Sequence, residues 1–247
     1  MAIYSSLFFL AFLGSIAGLS GGLLLLWKQD LAKKISIYLI SFAAGVILSA
    51  TFLDLLPEAV REGEENVYVL VLLGLIIFFL IEDLFLHFHH HEKHEHSLKG
   101  AVPLVVFSDS VHNFIDGIVI TASFIADPSL GLLVALATFF HEIPQEIGDF
   151  GVLISAGLSK TKVLGANILS ALATFLGVGF TLLLTEKLTG MIGPLLGLAS
   201  GMFIYIASVD ILPELVKVNS TKDKLKIAGA FLFGVLLMFT ITRILPD

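Results

Sequence analysis

Cysteine is absent from all 247 residues. Its absence removes disulfide staples and soft thiolate metal sites, and leaves no record of the redox state of the compartment. Charge is scarce as well. Only 14% of residues are Asp, Glu, Lys or Arg, against roughly 25% in a soluble domain. Cations are the rarer sign, 14 against 21, so no basic face is available for nucleic acid. No Lys or Arg precedes Lys28. The apolar N-terminus therefore lacks the charged head of a secretory leader and is too long for one; it reads as a retained first span.

What fills the chain is hydrocarbon, 57% hydrophobic residues with a mean hydropathy of +0.98. A helix crosses a bilayer core with about 20 apolar residues. Stretches near that length fall at 3–27, 35–56, 67–86, 101–125, 130–158, 163–185, 191–212 and 227–244. The expected fold is an all-α membrane protein, a single polytopic domain over 1–247 with eight transmembrane helices. Connections are short except at 87–100, which holds six of the eight histidines. With both termini on one side, Lys and Arg divide eleven to three, and only Arg61, Lys187 and Arg243 stay with the termini. Cytoplasmic loops carry the Lys/Arg excess. Both termini are thus expected outside a plasma (inner) membrane, with the His-rich 87–100 loop cytoplasmic. That loop could buffer or sense metal, or be a solvated connection with little part in transport.

Glycine recurs every four residues at Gly14, Gly18 and Gly22, and again at Gly193, Gly197 and Gly201, a spacing that lets helix backbones approach closely. A longer echo joins FLDLLPEA at 52–59 to SVDILPEL at 208–215. In the orientation above, the second helix runs outward and the seventh inward. The shared Asp-x-x-Pro-Glu then fits an inverted repeat, helices 1–3 against 6–8, as in secondary transporters. The plainer reading is punctuation, with Pro stopping each helix.

The sharpest anomaly is polar. At about 100° per residue, Ser108, Asp109, His112, Asn113 and Asp116 fall on one face of the fourth helix, and His141, Glu142, Gln145, Glu146 and Asp149 on one face of the fifth. Five carboxylates in lipid would cost on the order of 15 kcal/mol uncompensated, and neither stretch contains a Lys or Arg. The missing positive charge must come from protons, water or a bound cation. Two imidazoles, several carboxylates and two amides at one depth form a ligand set for a borderline divalent metal. Pro144 adds a freed carbonyl at Phe140. A purely interhelical polar network would favour neutral Asn, Ser and Gln over five acids.

HNFIDG (112–117) followed by HEIPQEIGDF (141–150) resembles the paired signature of the ZIP (Zrt/Irt-like protein) divalent-metal transporters. The resemblance extends over nearly the whole chain, and departs at Gln145, where a large eukaryotic branch has His. It implies movement of zinc, with Fe²⁺, Mn²⁺ or Cd²⁺ as further substrates, toward the cytoplasm through a two-metal site between helices 4 and 5. By matching positions, His112, Asp116, His141 and Gln145 would form the first site. Asn113, Glu142 and, as a further candidate, Asn167 would serve the second, sharing Asp116 and Glu146. Metal would enter past Asp54 and Glu58, meet Asp109 and Asp149 on the site faces, and leave toward Asp210 and Glu214. The expected partners are divalent metal ions and the lipid bilayer, a homodimer being one assembly open to the chain; no organic cofactor and no nucleic acid are expected. The rival class is an intramembrane metal-dependent hydrolase. That chemistry needs His at i and i+4 around a catalytic Glu, and Gln145 occupies the second position.

Overall fold

The computed structural model describes residues 2–63, 66–90, 102–184, 190–218 and 220–244. Its regular elements are all helices. The first apolar stretch forms two of them, α1 (Ala2–Leu13) and α2 (Ser20–Trp27), with turns across 14–19. Glycine is a poor helix former, and here the Gly18 amide bonds the Ser15 carbonyl at 2.8 Å, closing a tighter turn than an α-helix makes. Helix α3 (Gln29–Ala50) leads through a π-helical turn, Thr51–Leu55, into α4 (Leu56–Gly63). Helix α5 (Val67–His90) runs past the boundary expected at 86; the rest of the His-rich stretch lies outside the described residues.

Helices α6 (Val102–Ala126) and α7 (Pro128–Ser155) are joined by Asp127 alone. Its carboxylate accepts from the amides of Ser129 and Leu130 at 2.8 and 2.9 Å. Asp at the cap with Pro at the first helical position fixes where α7 begins. Helices α8 (Lys160–Ala171) and α9 (Ala173–Leu184) are separated only by Leu172. Then come α10 (Ile192–Tyr205), a second π turn at Ile206–Ile211, α11 (Leu212–Val216) and α12 (Thr221–Ile244).

The reading of Asp-x-x-Pro-Glu as a helix stop is corrected here, because the helix continues beyond both prolines. The π turn explains how. The Leu56 amide reaches back to Thr51 O and the Leu212 amide to Ala207 O, five residues each. The extra residue shifts the register just before a proline whose ring would clash with the carbonyl four residues back. Pro57 and Pro213 each sit second in the helix that follows, where a missing N–H costs little.

Among the described residues, four stretches are long and apolar enough to cross a membrane: Gln29–Glu62, Lys160–Leu184, Ile192–Val209 and Thr221–Ile244. Shorter apolar helices occur at Tyr4–Leu13 and Val67–Leu80. Large apolar side chains cover the outside, among them Leu72 and Leu80 on α5 and Leu232 and Leu236 on α12, while Asn113, Asp116, Glu142 and Glu146 are sealed inside. That arrangement suits a hydrocarbon solvent.

Among the described residues, three helix pairs close on reciprocally facing glycines. A Cβ at Gly45 of α3 would lie 2.2 Å from the Phe231 carbonyl oxygen of α12, and one at Gly234 would lie 2.3 Å from that of Phe42. Gly74 of α5 and Gly201 of α10 face Leu198 O and Val71 O in the same reciprocal way at 2.1 and 2.0 Å, as Gly117 of α6 and Gly177 of α9 face Thr174 O and Phe114 O at 2.0 and 2.1 Å. Against α7, Gly18 lies on Glu142, Gly21 on the Ile143 carbonyl and Gly22 on the Phe150 ring. The broken α1–α2 segment is thereby pressed onto the polar turn of α7.

Candidate metal site

Residues four apart on a helix project toward one point, and α6 uses this where it faces two adjacent residues of α7. His112 and Asp116 come from α6, His141 and its neighbour Glu142 from α7. The His112 Nε2 atom lies 3.2 Å from His141 Nε2, 3.4 Å from Asp116 Oδ2 and 3.6 Å from Glu142 Oε1. His141 Nε2 lies 3.4 Å from Asp116 Oδ2 and 3.8 Å from Glu142 Oε1. One ligand atom from each of the four residues falls within 4.8 Å of all the others. Zinc bonds of about 2.0–2.1 Å to nitrogen and oxygen set a tetrahedron with edges of roughly 3.3 Å. The five distances given are close to such edges.

The orientation of His141 is fixed from behind. Its Nδ1 lies 3.2 Å from the Ala137 carbonyl oxygen, so that nitrogen carries the proton and Nε2 presents its lone pair to the cluster. Edge contacts from Phe203 to His141 and from Phe78 to His112, with ring centroids 5.9 and 6.3 Å apart, brace the two imidazoles from α10 and α5. Both oxygens of Asp116, Glu142 and Glu146 are buried without a hydrogen-bond donor. Each such group forfeits about 1–3 kcal/mol or more, since charge raises the cost. A cation bound among these atoms removes that cost at Asp116 and Glu142.

Asn113 and Gln145 both donate their amide NH₂ to Asp109 Oδ1, at 3.0 and 3.2 Å. Asn113 Oδ1 accepts from Thr174 Oγ1 at 2.9 Å. Asp109 Oδ2 accepts a short hydrogen bond from Ser170 Oγ. Asn167 is buried and donates to the Val163 carbonyl at 2.8 Å. Glu146 is sealed and Asp149 half-buried; neither belongs to the four-residue cluster. Sequence reasoning overlooked Phe78, Phe203, Ser170 and Thr174. An aromatic or hydroxyl residue in an apolar run carries no mark of which way it points.

Asp54 and Glu58 line a cavity of about 400 Å³ with Arg61, Asp127, Thr242 and Arg243. Thr242 Oγ1 donates to Asp54 Oδ2 at 2.9 Å, and Arg61 pairs with Glu58 at 2.5 Å. A second cavity, of about 450 Å³, opens beside Lys33, Ser36, Gly148, Gly151 and Ser155. Asp210 lies in the second π turn and Glu214 in α11, but their side chains lie outside the described residues.

Residues 2–104 and 89–242 match the family model described as ZIP zinc transporter. The chain is similar to zinc transporter ZIP13 of Pongo abelii, 33% identical over 196 residues that make up 72% of this chain and 58% of that protein. It is 34% identical over 160 residues to zinc transporter SLC39A7 of Homo sapiens, covering 62% and 34% of the two chains. To the metal cation symporter ZIP14 of Danio rerio it is 39% identical over 121 residues, covering 49% and 24%. The chain spans between 17% and 64% of the length of such relatives.

Proposed function

The chain belongs to the ZIP zinc transporter family, and from that premise we propose that it carries divalent metal, zinc foremost, across a membrane toward the cytoplasm. The observation that carries this reading is the four-residue cluster of His112, Asp116, His141 and Glu142, buried between two helices that contain no Lys or Arg. Such a centre at membrane depth is costly empty and satisfied by a cation.

In this reading the helices compose eight spans. Helices α1 and α2 form the first, α3 with its π turn and α4 the second, and α5 the third. The fourth and fifth are α6 and α7, the sixth is α8 with α9, the seventh α10 to α11, and the eighth α12. The matching π turns at Thr51–Leu55 and Ile206–Ile211, each ahead of a Pro-Glu pair, support an inverted repeat of helices 1–3 and 6–8 around α6 and α7. His112 and His141 sit sixteen residues before and thirteen after Pro128, about 20–24 Å along their helices from the turn, a depth near the membrane centre. The Lys and Arg asymmetry puts the termini outside and the His-rich loop in the cytoplasm.

The two neighbouring histidines and carboxylates would hold the first metal, with the Gln145 oxygen as a further ligand. Glu146, sealed and without a donor, supports a second position shared with Asn113, Glu142 and Asn167. Metal would approach through the cavity at Asp54 and Glu58 and depart by way of Asp149, Asp210 and Glu214. Fe²⁺, Mn²⁺ and Cd²⁺ are further candidate substrates, and a homodimer a candidate assembly. Uptake of labelled Zn²⁺ into proteoliposomes, with the other metals as competitors, tests the reading. Saturable uptake that unlabelled Zn²⁺ suppresses is expected; permeability equal to protein-free vesicles overturns it.

A further inference from the structure

Asp109 stands outside the four-residue cluster, yet it is only 5% exposed and three side chains end on it. Asn113, one turn along α6, donates to Oδ1 at 3.0 Å; Gln145 of α7 donates to the same oxygen at 3.2 Å. Ser170 of α8 donates to Oδ2. The carboxylate is therefore where α6, α7 and α8 meet.

A carboxylate only accepts hydrogen bonds, so any amide that meets it must turn its NH₂ toward it. That single constraint sorts both amides at once. The free ends become Oδ1 of Asn113 and Oε1 of Gln145, and only the oxygen of an amide has lone pairs to offer a metal. Oδ1 of Asn113 accepts one hydrogen bond, from Thr174 at 2.9 Å, and a carbonyl oxygen has a second lone pair. Asn113 follows His112 directly, and Gln145 lies one turn beyond His141.

We propose that Asp109 is a positioning residue of the cation site: anchored by Ser170, it holds the NH₂ groups of Asn113 and Gln145 and so presents both amide oxygens to the cation that His112, Asp116, His141 and Glu142 bind. The inference rests on the metal reading above and adds what sets the number of ligands. Imidazole suits zinc, whereas neutral carbonyl oxygen suits harder ions such as Mn²⁺. By enforcing the amide orientation, Asp109 adds oxygen ligands around the cation and raises its coordination number. Asp109→Leu would remove the acceptor at similar volume and leave both NH₂ groups unheld, whereas Asp109→Asn keeps one oxygen for both amides and can turn its own NH₂ to the Ser170 hydroxyl.

Co²⁺ titrated into the purified full chain in detergent reports both affinity and coordination, because its visible bands strengthen as the ligand number falls toward four. For Asp109→Leu the expected result is a loss of Co²⁺ affinity of roughly 10-fold, the low end for residues that orient metal ligands, together with stronger bands. Ser170→Ala, which deletes only the anchoring hydroxyl, moves both readouts the same way by less. Adding Asp109→Leu to Gln145→Leu costs less than adding it to the unaltered chain, since the two act on one ligand. Unaltered affinity and bands in Asp109→Leu, with binding lost in His112→Ala, overturn the role of Asp109 and leave the metal site standing. Binding retained in His112→Ala overturns the metal site itself. If Asp109→Leu yields no folded protein, Ser170→Ala decides, and an unaltered spectrum there overturns the proposal.

Discussion

The seam between α6 and α7 and the clasps of α3 on α12 and α5 on α10 join helices by opposite means. In lipid there is little hydrophobic drive to bring helices together, so association rests on close packing and polar contacts. The clasps rest chiefly on packing, with Ser41 and Tyr38 of α3 adding hydrogen bonds to the Ile227 carbonyl and Asp223 of α12 at 2.7 and 3.0 Å: paired glycines bring the backbones so near that a Cβ would fall 2.0–2.3 Å from a carbonyl oxygen. Nothing there awaits a partner. The seam is lined with side chains whose oxygens are buried without donors at Asp116, Glu142 and Glu146. Those oxygens lack a partner that the proposed cation would supply. The clasps should therefore fail when atoms are added, and the seam when atoms are removed.

The largest effect expected is at a clasp. Gly201→Leu would drive four heavy atoms into Val71 O and Leu75 N, at 2.0 and 2.8 Å from a Cβ, and backbone cannot yield as a side chain can. The overpacking cost exceeds the usual 1–3 kcal/mol of a core insertion, and no monodisperse protein should elute on size exclusion. A normal elution profile would mean that α5 and α10 are free to separate. At the seam, His112→Ala should leave that profile intact while uptake of labelled Zn²⁺ falls to the level of empty vesicles, because it removes a ligand from a site already short of partners. Near-normal uptake would exclude His112 from the cation.

The two regions were also unequally legible in the sequence. Rows of glycine at 14, 18 and 22 and at 193, 197 and 201 announce close helix contacts, but spacing alone does not say which helix lies opposite. The polar seam was plain, since carboxylates in hydrocarbon have few explanations, and four nominated residues meet at 3.2–3.8 Å. Helical breaks were hidden. The turns at 14–19 lie in an unbroken apolar run, and a π turn is one residue of register that no residue type encodes. Asp109 appeared as a point on a pathway, while its hydrogen bonds to Asn113, Gln145 and Ser170 span up to 61 residues of sequence.

A smaller effect sharpens the seam. Gln145→His puts an imidazole where an amide now donates to Asp109. One ring nitrogen can keep that hydrogen bond while the other turns to the cation, an arrangement that strengthens a metal-bound histidine. The KM for Zn²⁺ should fall several-fold, by analogy with the roughly 10-fold or greater effects of such pairs, preference for Zn²⁺ over Mn²⁺ should rise, and the maximal rate should hold or drop as release slows. Unaltered KM, preference and rate would place Gln145 away from the cation.

The smallest effect expected tests whether contact or flexibility gives glycine its role. Gly177 and Gly179 lie two residues apart within α9, both with helical backbone, so their conformational cost relative to alanine is the same, about 1 kcal/mol. Their surroundings differ. A Cβ at Gly177 would lie 2.1 Å from the Phe114 carbonyl of α6; at Gly179 it would meet nothing within 4 Å. If close approach is what matters, Gly177→Ala lowers the unfolding temperature in detergent, whereas Gly179→Ala leaves it unaltered or raises it slightly through better helix propensity. If glycine instead served to keep α9 pliable, the two substitutions would shift that temperature together, because backbone freedom is lost equally at both. Equal shifts would dissolve the distinction between clasp and seam at α6, the helix that takes part in both. A drop at Gly177 alone would show that close approach to α6, not pliability, is what that glycine supplies.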